Sequence, residues 1–173
     1  KMTSVVALVG PTADGKSSAA ITIAQQYNGD IIGADSRQIY RYMDICTAKP
    51  KSEERQNVVH HLLDIINPDE LYSVAQYKAA ADSIIIELCD KGKLALLVGG
   101  SGQYIWSVLE NWQVPQIPPD MDFRAAMNKR AEQEGCQALY AELSEIDADS
   151  AHRIMPANVR RVIRALEIYH KTG

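Results

Sequence analysis

Gly10 and Gly15 stand with four residues between them, and Lys16 and Ser17 follow at once, a spacing suited to wrapping an anion. Glycines at both ends let the backbone curl so that successive N–H groups point inward at phosphate oxygens. Pro11, Thr12, Ala13 and Asp14 fill the turn between them. A helix opening at Lys16 would add the positive end of its dipole, worth roughly 0.3–2 kcal/mol toward an anion. Lys16 supplies a full positive charge, and the Ser17 hydroxyl is a hard oxygen ligand suited to Mg2+. Residues 10–17 (GPTADGKS) therefore read as a polyphosphate cradle, a P-loop, which leaves open the polyphosphate it takes.

A nucleotide hydrolase of this kind also needs a carboxylate at a neighbouring strand end, to hold the metal or order a water. The apolar run 94–98 (LALLV) ends in glycine instead. The acid that does stand at a strand end is Asp35, within 34–40 (ADSRQIY). An acid there faces the phosphate loop, because ligands of parallel sheets lie beyond the carboxyl ends of the strands. Asp35 could bind a metal, act as a base on an acceptor, or simply cap a helix.

Three further groups of residues invite a chemical reading. Arg160, Arg164 and Lys171 recur at helical spacing, giving either a phosphate-binding face or a solvated one with Glu167 paired to Arg164. His60 and His61 are adjacent, and neighbours on a strand point to opposite faces, so one internal hydrogen bond is expected and not a shared metal. Trp106 and Trp112 could stack on a base, but burial at a domain seam is the expectation. Ile154, Val162, Leu166 and Tyr169 read as core.

The elements that must hold these residues follow from periodicity. Residues 4–9 (SVVALV) form an uninterrupted apolar run, the mark of a strand buried on both faces. A helix is expected from Lys16 to about Tyr27, with Ala20, Ile23, Ala24 and Tyr27 inward and Asn28-Gly29 as its stop. Residues 30–34 make a second strand, closing a βαβ unit. Residues 61–66 read as a third strand. Ser73 and Gln76 are placed as a capping box opening a helix that ends near Asp90. Residues 94–98 form another strand, followed by a helix from about Gln103. Past the proline-rich stretch 115–119 only helices are expected: 122–134, 136–143, one after Asp147, and 157–171. Strand–helix alternation predicts an α/β fold, a P-loop NTPase-like parallel sheet flanked by helices, with an all-helical insert. The divisions expected are 1–115 as the α/β core, 116–156 as the helical insert, and 157–173 as a helix returning to the core.

Composition narrows the function classes without choosing among them. The 173 residues suffice for one α/β domain and an appendage. A net charge of −4 excludes a surface coated in phosphate-binding cations, so any nucleic acid must be gripped by a local patch. No apolar run approaches the ~20 residues that span a bilayer, and no leader is visible before the first strand. Cys46, Cys89 and Cys136 are far apart and odd in number, which fits reduced thiols in the cytoplasm.

Taken together, these segments resemble the tRNA dimethylallyltransferases. The matching stretches are 10–17 (GPTADGKS), 34–40 (ADSRQIY), 43–50 (MDICTAKP), 60–65 (HHLLDI), 72–75 (YSVA), 98–104 (VGGSGQY) and 159–169 (VRRVIRALEIY). They run through essentially the whole chain in one order. Cys46 stands where the family leads one to expect glycine, and Ser101 where threonine is usual, which keeps a hydroxyl.

The resemblance implies that the loop holds the diphosphate of dimethylallyl diphosphate as a leaving group, with Lys16 and Mg2+ taking up its charge. It implies Asp35 as the general base on the exocyclic nitrogen of an adenine beside the anticodon. Ser101 would touch the acceptor nucleotide or the bridging oxygen. RNA contacts carry over to Asp35, Ser36, Arg37, Gln38, Ser101, Arg124, Arg160, Arg161 and Arg164. The partner is the tRNA anticodon loop, already single-stranded, so extruding one base costs less than opening a duplex. A monomer in the cytoplasm is expected. The family's chains run on past 173 residues, so a fragment that binds diphosphate but transfers weakly is expected. Rival readings are an adenylate isopentenyltransferase, a P-loop small-molecule kinase, and a nucleotide-binding module without catalysis.

Overall fold

The computed structural model describes residues 5–10, 15–45 and 47–173. The chain divides between Val114 and Pro115 into two compact units.

The first unit is built on four parallel strands, β1 (Val5–Val9), β2 (Gly29–Gly33), β3 (His60–His61) and β4 (Leu94–Gly99), in the order β1-β4-β2-β3. Three helices belong with them: α1 (Lys16–Gln26), α2 (Val74–Asp90) and α3 (Gly102–Leu109). Alternation along the strands divides the core in two. Ile31 and Leu96 face α1 and meet Ala20, Ile21 and Ala24. Ile32, Ala95 and Leu97 face the other way and meet Tyr77, Ala81 and Ile85 of α2 with Ile105 of α3. Covering both faces explains why β2 and β4 are apolar without interruption.

Four sequence expectations change here. β4 lies between β1 and β2, so the first crossover skips a strand. β1 is an edge strand, paired with β4 alone among the described strands, and Val6 and Val9 are 41% and 57% exposed where burial on both faces was expected. Tyr27, placed inward by spacing, is exposed, and Ile21 takes the inward position. The expected strand 61–66 shrinks to His60–His61 plus an isolated bridge between Tyr40 and Ile66. Leu62 and Asp64 adopt φ of 57° and 56°, which no continuous strand accommodates.

The histidines serve the sheet. His61 Nε2 lies 3.2 Å from Asp30 Oδ2, Lys93 Nζ lies 2.9 Å from Oδ1, and His60 Nδ1 meets the Val58 carbonyl at 2.9 Å. Burial alone would raise the Asp30 carboxyl; hydrogen bonds from Lys93 and His61 outweigh it and hold it below the usual range.

Ser73 caps α2 as expected: its hydroxyl accepts the Gln76 N–H, and the Gln76 side chain accepts the Ser73 N–H. Replacing Ser73 by alanine removes one half of that exchange. Thermal unfolding should show a loss of about 1 kcal/mol.

The second unit contains helices α4 (Met121–Glu134), α5 (Cys136–Ile146), α6 (Ala148–His152) and α7 (Val159–Thr172). Asp120, Asp147 and Asn158 cap α4, α6 and α7, each accepting a backbone N–H in the first turn. Leu139, Leu143, Ala151, Val162, Ile163 and Leu166 form its core. Within 157–173, α7 supplies Val162, Ile163 and Leu166 to the second unit's own core. No helix among the described residues is long and apolar enough to cross a membrane.

Candidate functional site

The carboxyl ends of β1, β4 and β2 are in register, with Val9 opposite Gly99 and Gly33 opposite Val98. Several polar residues of the first unit follow these ends. Gly10 leaves β1, and Gly15, at φ 72°, starts α1 in a left-handed conformation. The Gly15 carbonyl accepts the Ser18 hydroxyl at 2.8 Å and the Ala19 N–H at 3.1 Å. Lys16 and Ser17 form the first turn of α1, as the phosphate-loop reading requires. Pro11, Thr12, Ala13 and Asp14 lie outside the described residues.

Gly99 makes the centre of the site possible. A Cβ there would lie 2.1 Å from the Ala34 carbonyl oxygen. Without one, β4 and the exit of β2 meet closely: Ala34 N–H donates to Val98 O at 2.7 Å, and Ser101 N–H donates to Ala34 O at 3.0 Å. Asp35 is thereby fixed on the shared ridge. Its Oδ1 accepts the Arg37 N–H at 2.9 Å, closing a local turn in which residues 36–39 form no helix. The capping alternative for Asp35 therefore gives way to this turn.

Ser101 precedes α3 but does not spend its hydroxyl on capping it. Its Oγ accepts the Ser36 N–H at 2.8 Å and donates to Ser36 Oγ at 3.1 Å. One hydroxyl thus ties the end of β4 to the segment that carries Asp35. Behind them Tyr77 donates to Gly33 O at 3.0 Å and stacks on Tyr104, ring centroids 3.9 Å apart. Burial pushes the Tyr104 hydroxyl up to about 12, so it stays protonated.

Two cavities flank Asp35. One, of about 530 Å³, is lined by Lys16, Ser17, Gln38, Pro50 and Gly100 with Asp35. The other, of about 570 Å³, is lined by Ser36, Arg37, Ser101, Trp106 and Leu109 with Asp35. Asp35 and Gly100 belong to both. Trp106 is half exposed on the second cavity and Trp112 is 38% exposed with its indole on Glu110, where burial was expected for both. Among the described residues no His, Cys, Asp and Glu cluster could hold a metal alone.

The structure therefore gathers Gly10, Gly15, Lys16, Ser17, Asp35, Ser36, Arg37, Gln38 and Ser101 at one sheet end. The remaining candidates form a group on the second unit. Arg124 Nε and Nη2 donate to the two oxygens of Glu167 at 2.9 and 2.8 Å. Arg164 Nη1 donates to the same carboxylate and its Nη2 to Ile117 O at 2.9 Å. Arg160 and Arg161 are exposed at the start of α7, and Lys171 pairs with Asp120 at 3.1 Å. Sequence reasoning missed Tyr77, whose hydroxyl holds the Gly33 carbonyl at this sheet end; its helical position was the local signal.

Comparison with known proteins bears on this arrangement. The model of the IPP transferase family matches residues 38–173. The tRNA dimethylallyltransferase of Roseiflexus castenholzii is 51% identical over 99% of this chain and 56% of its own. That of Herpetosiphon aurantiacus is 48% identical over 98% of this chain and 54% of its own. The chain thus spans a little over half the length of these curated relatives. Among solved structures, the tRNA isopentenylpyrophosphate transferase of Bacillus halodurans is similar with a TM-score of 0.65, at 44% identity, over 99% of this chain and 57% of that one. A eukaryotic dimethylallyltransferase acting on tRNA gives 0.80, at 30% identity, over 98% and 42%.

Proposed function

Because the chain belongs to the IPP transferase family, we propose that it carries the donor site and the catalytic acid of a tRNA dimethylallyltransferase. The whole enzyme moves a dimethylallyl group from dimethylallyl diphosphate to N6 of the adenosine next to the anticodon. The observation that carries this reading is Asp35, which lines both cavities and stands between Lys16 and Ser17 on one side and Ser101 on the other.

The first cavity takes the diphosphate. Backbone N–H groups at the start of α1 and the Lys16 ammonium stabilise negative charge as the allylic C–O bond breaks. The exocyclic amine is a weak nucleophile because its lone pair is delocalised into the ring. As the new N–C bond forms, Asp35 accepts the proton that the amine loses. Ser101 holds the Ser36 end of that segment and offers its hydroxyl to the acceptor nucleotide or the bridging oxygen. The Ser17 hydroxyl lines the first cavity and suits Mg2+, which keeps several waters and needs few protein ligands. Bound there, the ion would neutralise charge on the leaving diphosphate.

Ser36, Arg37 and Gln38 meet the tRNA beside the reacting base, and the exposed Arg160 and Arg161 with Arg124 and Arg164 supply phosphate contacts. The enzyme acts as a monomer in the cytoplasm. Incubating labelled dimethylallyl diphosphate and a chain of the relatives' length that carries this site with unmodified tRNA or with free AMP tests the reading: label should enter tRNA alone. Label in AMP makes it an adenylate isopentenyltransferase. Label in neither, with tight ATP binding, makes it a kinase or a nucleotide-binding module.

A further inference from the structure

Between the sheet end and α2 the chain makes a long excursion, and a buried cation lies at its centre. The Lys49 side chain is 4% exposed. Its ammonium has three acceptors: Asp64 Oδ1 at 2.6 Å, Asp44 Oδ1 at 2.8 Å and the Tyr40 carbonyl at 2.8 Å. Burial alone would lower this ammonium; hydrogen bonds to Asp44 and Asp64 outweigh it and hold it above its usual range. Three acceptors match the three donors of a lysine, so the charge is used inside the fold and not offered to a ligand.

The backbone around Lys49 is unusual. Tyr42, Ala48, Gln56, Asn57, Leu62 and Asp64 all adopt φ between 47° and 64°. Such positions cost free energy in residues with a Cβ and persist only where the surroundings fix them. The fixing bonds converge on the same place. Arg41 Nε donates to Asp64 O at 3.0 Å, Arg55 Nε to Pro50 O at 3.1 Å, and the Gln38 amide to Thr47 O at 2.9 Å. Asp64 N–H returns to Gln38 O at 3.1 Å. The arms so joined face the cavities: Gln38, Ala48 and Pro50 line the first, Arg37 and Thr47 the second.

We propose that Lys49 is a positioning residue, whose bridge to Asp44 and Asp64 sets the wall between the two cavities and so presents Ser36, Arg37 and Gln38 to the acceptor RNA. The acceptor part rests on the proposed function; the bridge itself does not.

The test uses this chain with two probes, inorganic pyrophosphate with Mg2+ and an unmodified anticodon stem-loop RNA. Hydrogen exchange of the amides of residues 37–45 and 47–49 reads the wall directly. In Lys49→Met, exchange there should quicken about tenfold or more while the amides of β4 and α2 hold. RNA affinity should fall about tenfold and pyrophosphate affinity by less than about threefold, a split that general destabilisation does not give. Lys49→Met leaves Asp64 its longer contact with Arg55 Nη2 at 3.7 Å; adding Asp64→Asn removes that poorly paired carboxylate and should recover melting temperature, but neither exchange protection nor RNA affinity. Unchanged exchange in Lys49→Met overturns the proposal, as does full recovery in the double variant. Pyrophosphate affinity lost with exchange unchanged would make Lys49 an anion ligand and overturn it too. If RNA fails to bind the unaltered chain, the RNA contacts proposed for it fail, and the exchange data still decide the bridge.

Discussion

Asp35→Asn is expected to slow prenyl transfer by about 10²–10⁴-fold in a chain of the relatives' length that carries this site, while pyrophosphate affinity stays within about threefold. That rate loss corresponds to about 3–5 kcal/mol of transition-state stabilisation. Asparagine keeps an oxygen where Oδ1 accepts the Arg37 N–H, so the local turn survives and the comparison isolates proton acceptance. Single-turnover transfer gives the first quantity, and calorimetry with pyrophosphate and Mg2+ gives the second. Loss of both together would make Asp35 a metal or structural group. Transfer within about threefold of the unaltered protein would remove it from the chemistry altogether.

The site divides into parts that local sequence encodes and parts that it does not. The loop from Gly10 to Ser17 is legible because its chemistry is local: two glycines, a lysine and a hydroxyl act through neighbouring backbone. Asp35 is legible for a related reason, since a strand end in a parallel sheet fixes where the next side chain goes. The run 61–66 misleads because its apolar residues satisfy a strand pattern, whereas Asp64 is pulled to φ 56° beside Lys49, fifteen residues earlier. No periodicity reports a bond of that span. β1 misleads differently: an uninterrupted apolar run fits an edge strand as well as a central one, and only strand order tells them apart. Gly99 was visible as a glycine, but its reason, the Ala34 carbonyl against its Cα, belongs to the pairing of β4 with β2.

Glu167 shows the same division and carries the second large effect. Its pairing with Arg164 is written in a three-residue spacing, but Arg124 lies 43 residues away and completes the group. The Glu167 side chain is fully buried, and burial alone would raise its carboxyl. Hydrogen bonds from Arg124, Arg164 and the Asp120 N–H outweigh that and bring it down to about 2. A carboxyl lowered on folding contributes stability that is fully present above its unfolded value near 4.5 and is lost as pH falls through about 2. Glu167→Ala should therefore destabilise the second unit by about 2–4 kcal/mol at neutral pH, the lower end reflecting guanidiniums about one-third exposed. Urea unfolding at pH 7 and pH 3, followed by the helical signal, should show the gap from the unaltered chain narrowing at the lower pH, because at pH 3 the carboxyl takes up a proton in the unfolded chain while the folded Glu167 still largely keeps its charge. A gap equal at both values would mean that Glu167 acts by filling space, and that Arg124 and Arg164 keep their places without its charge.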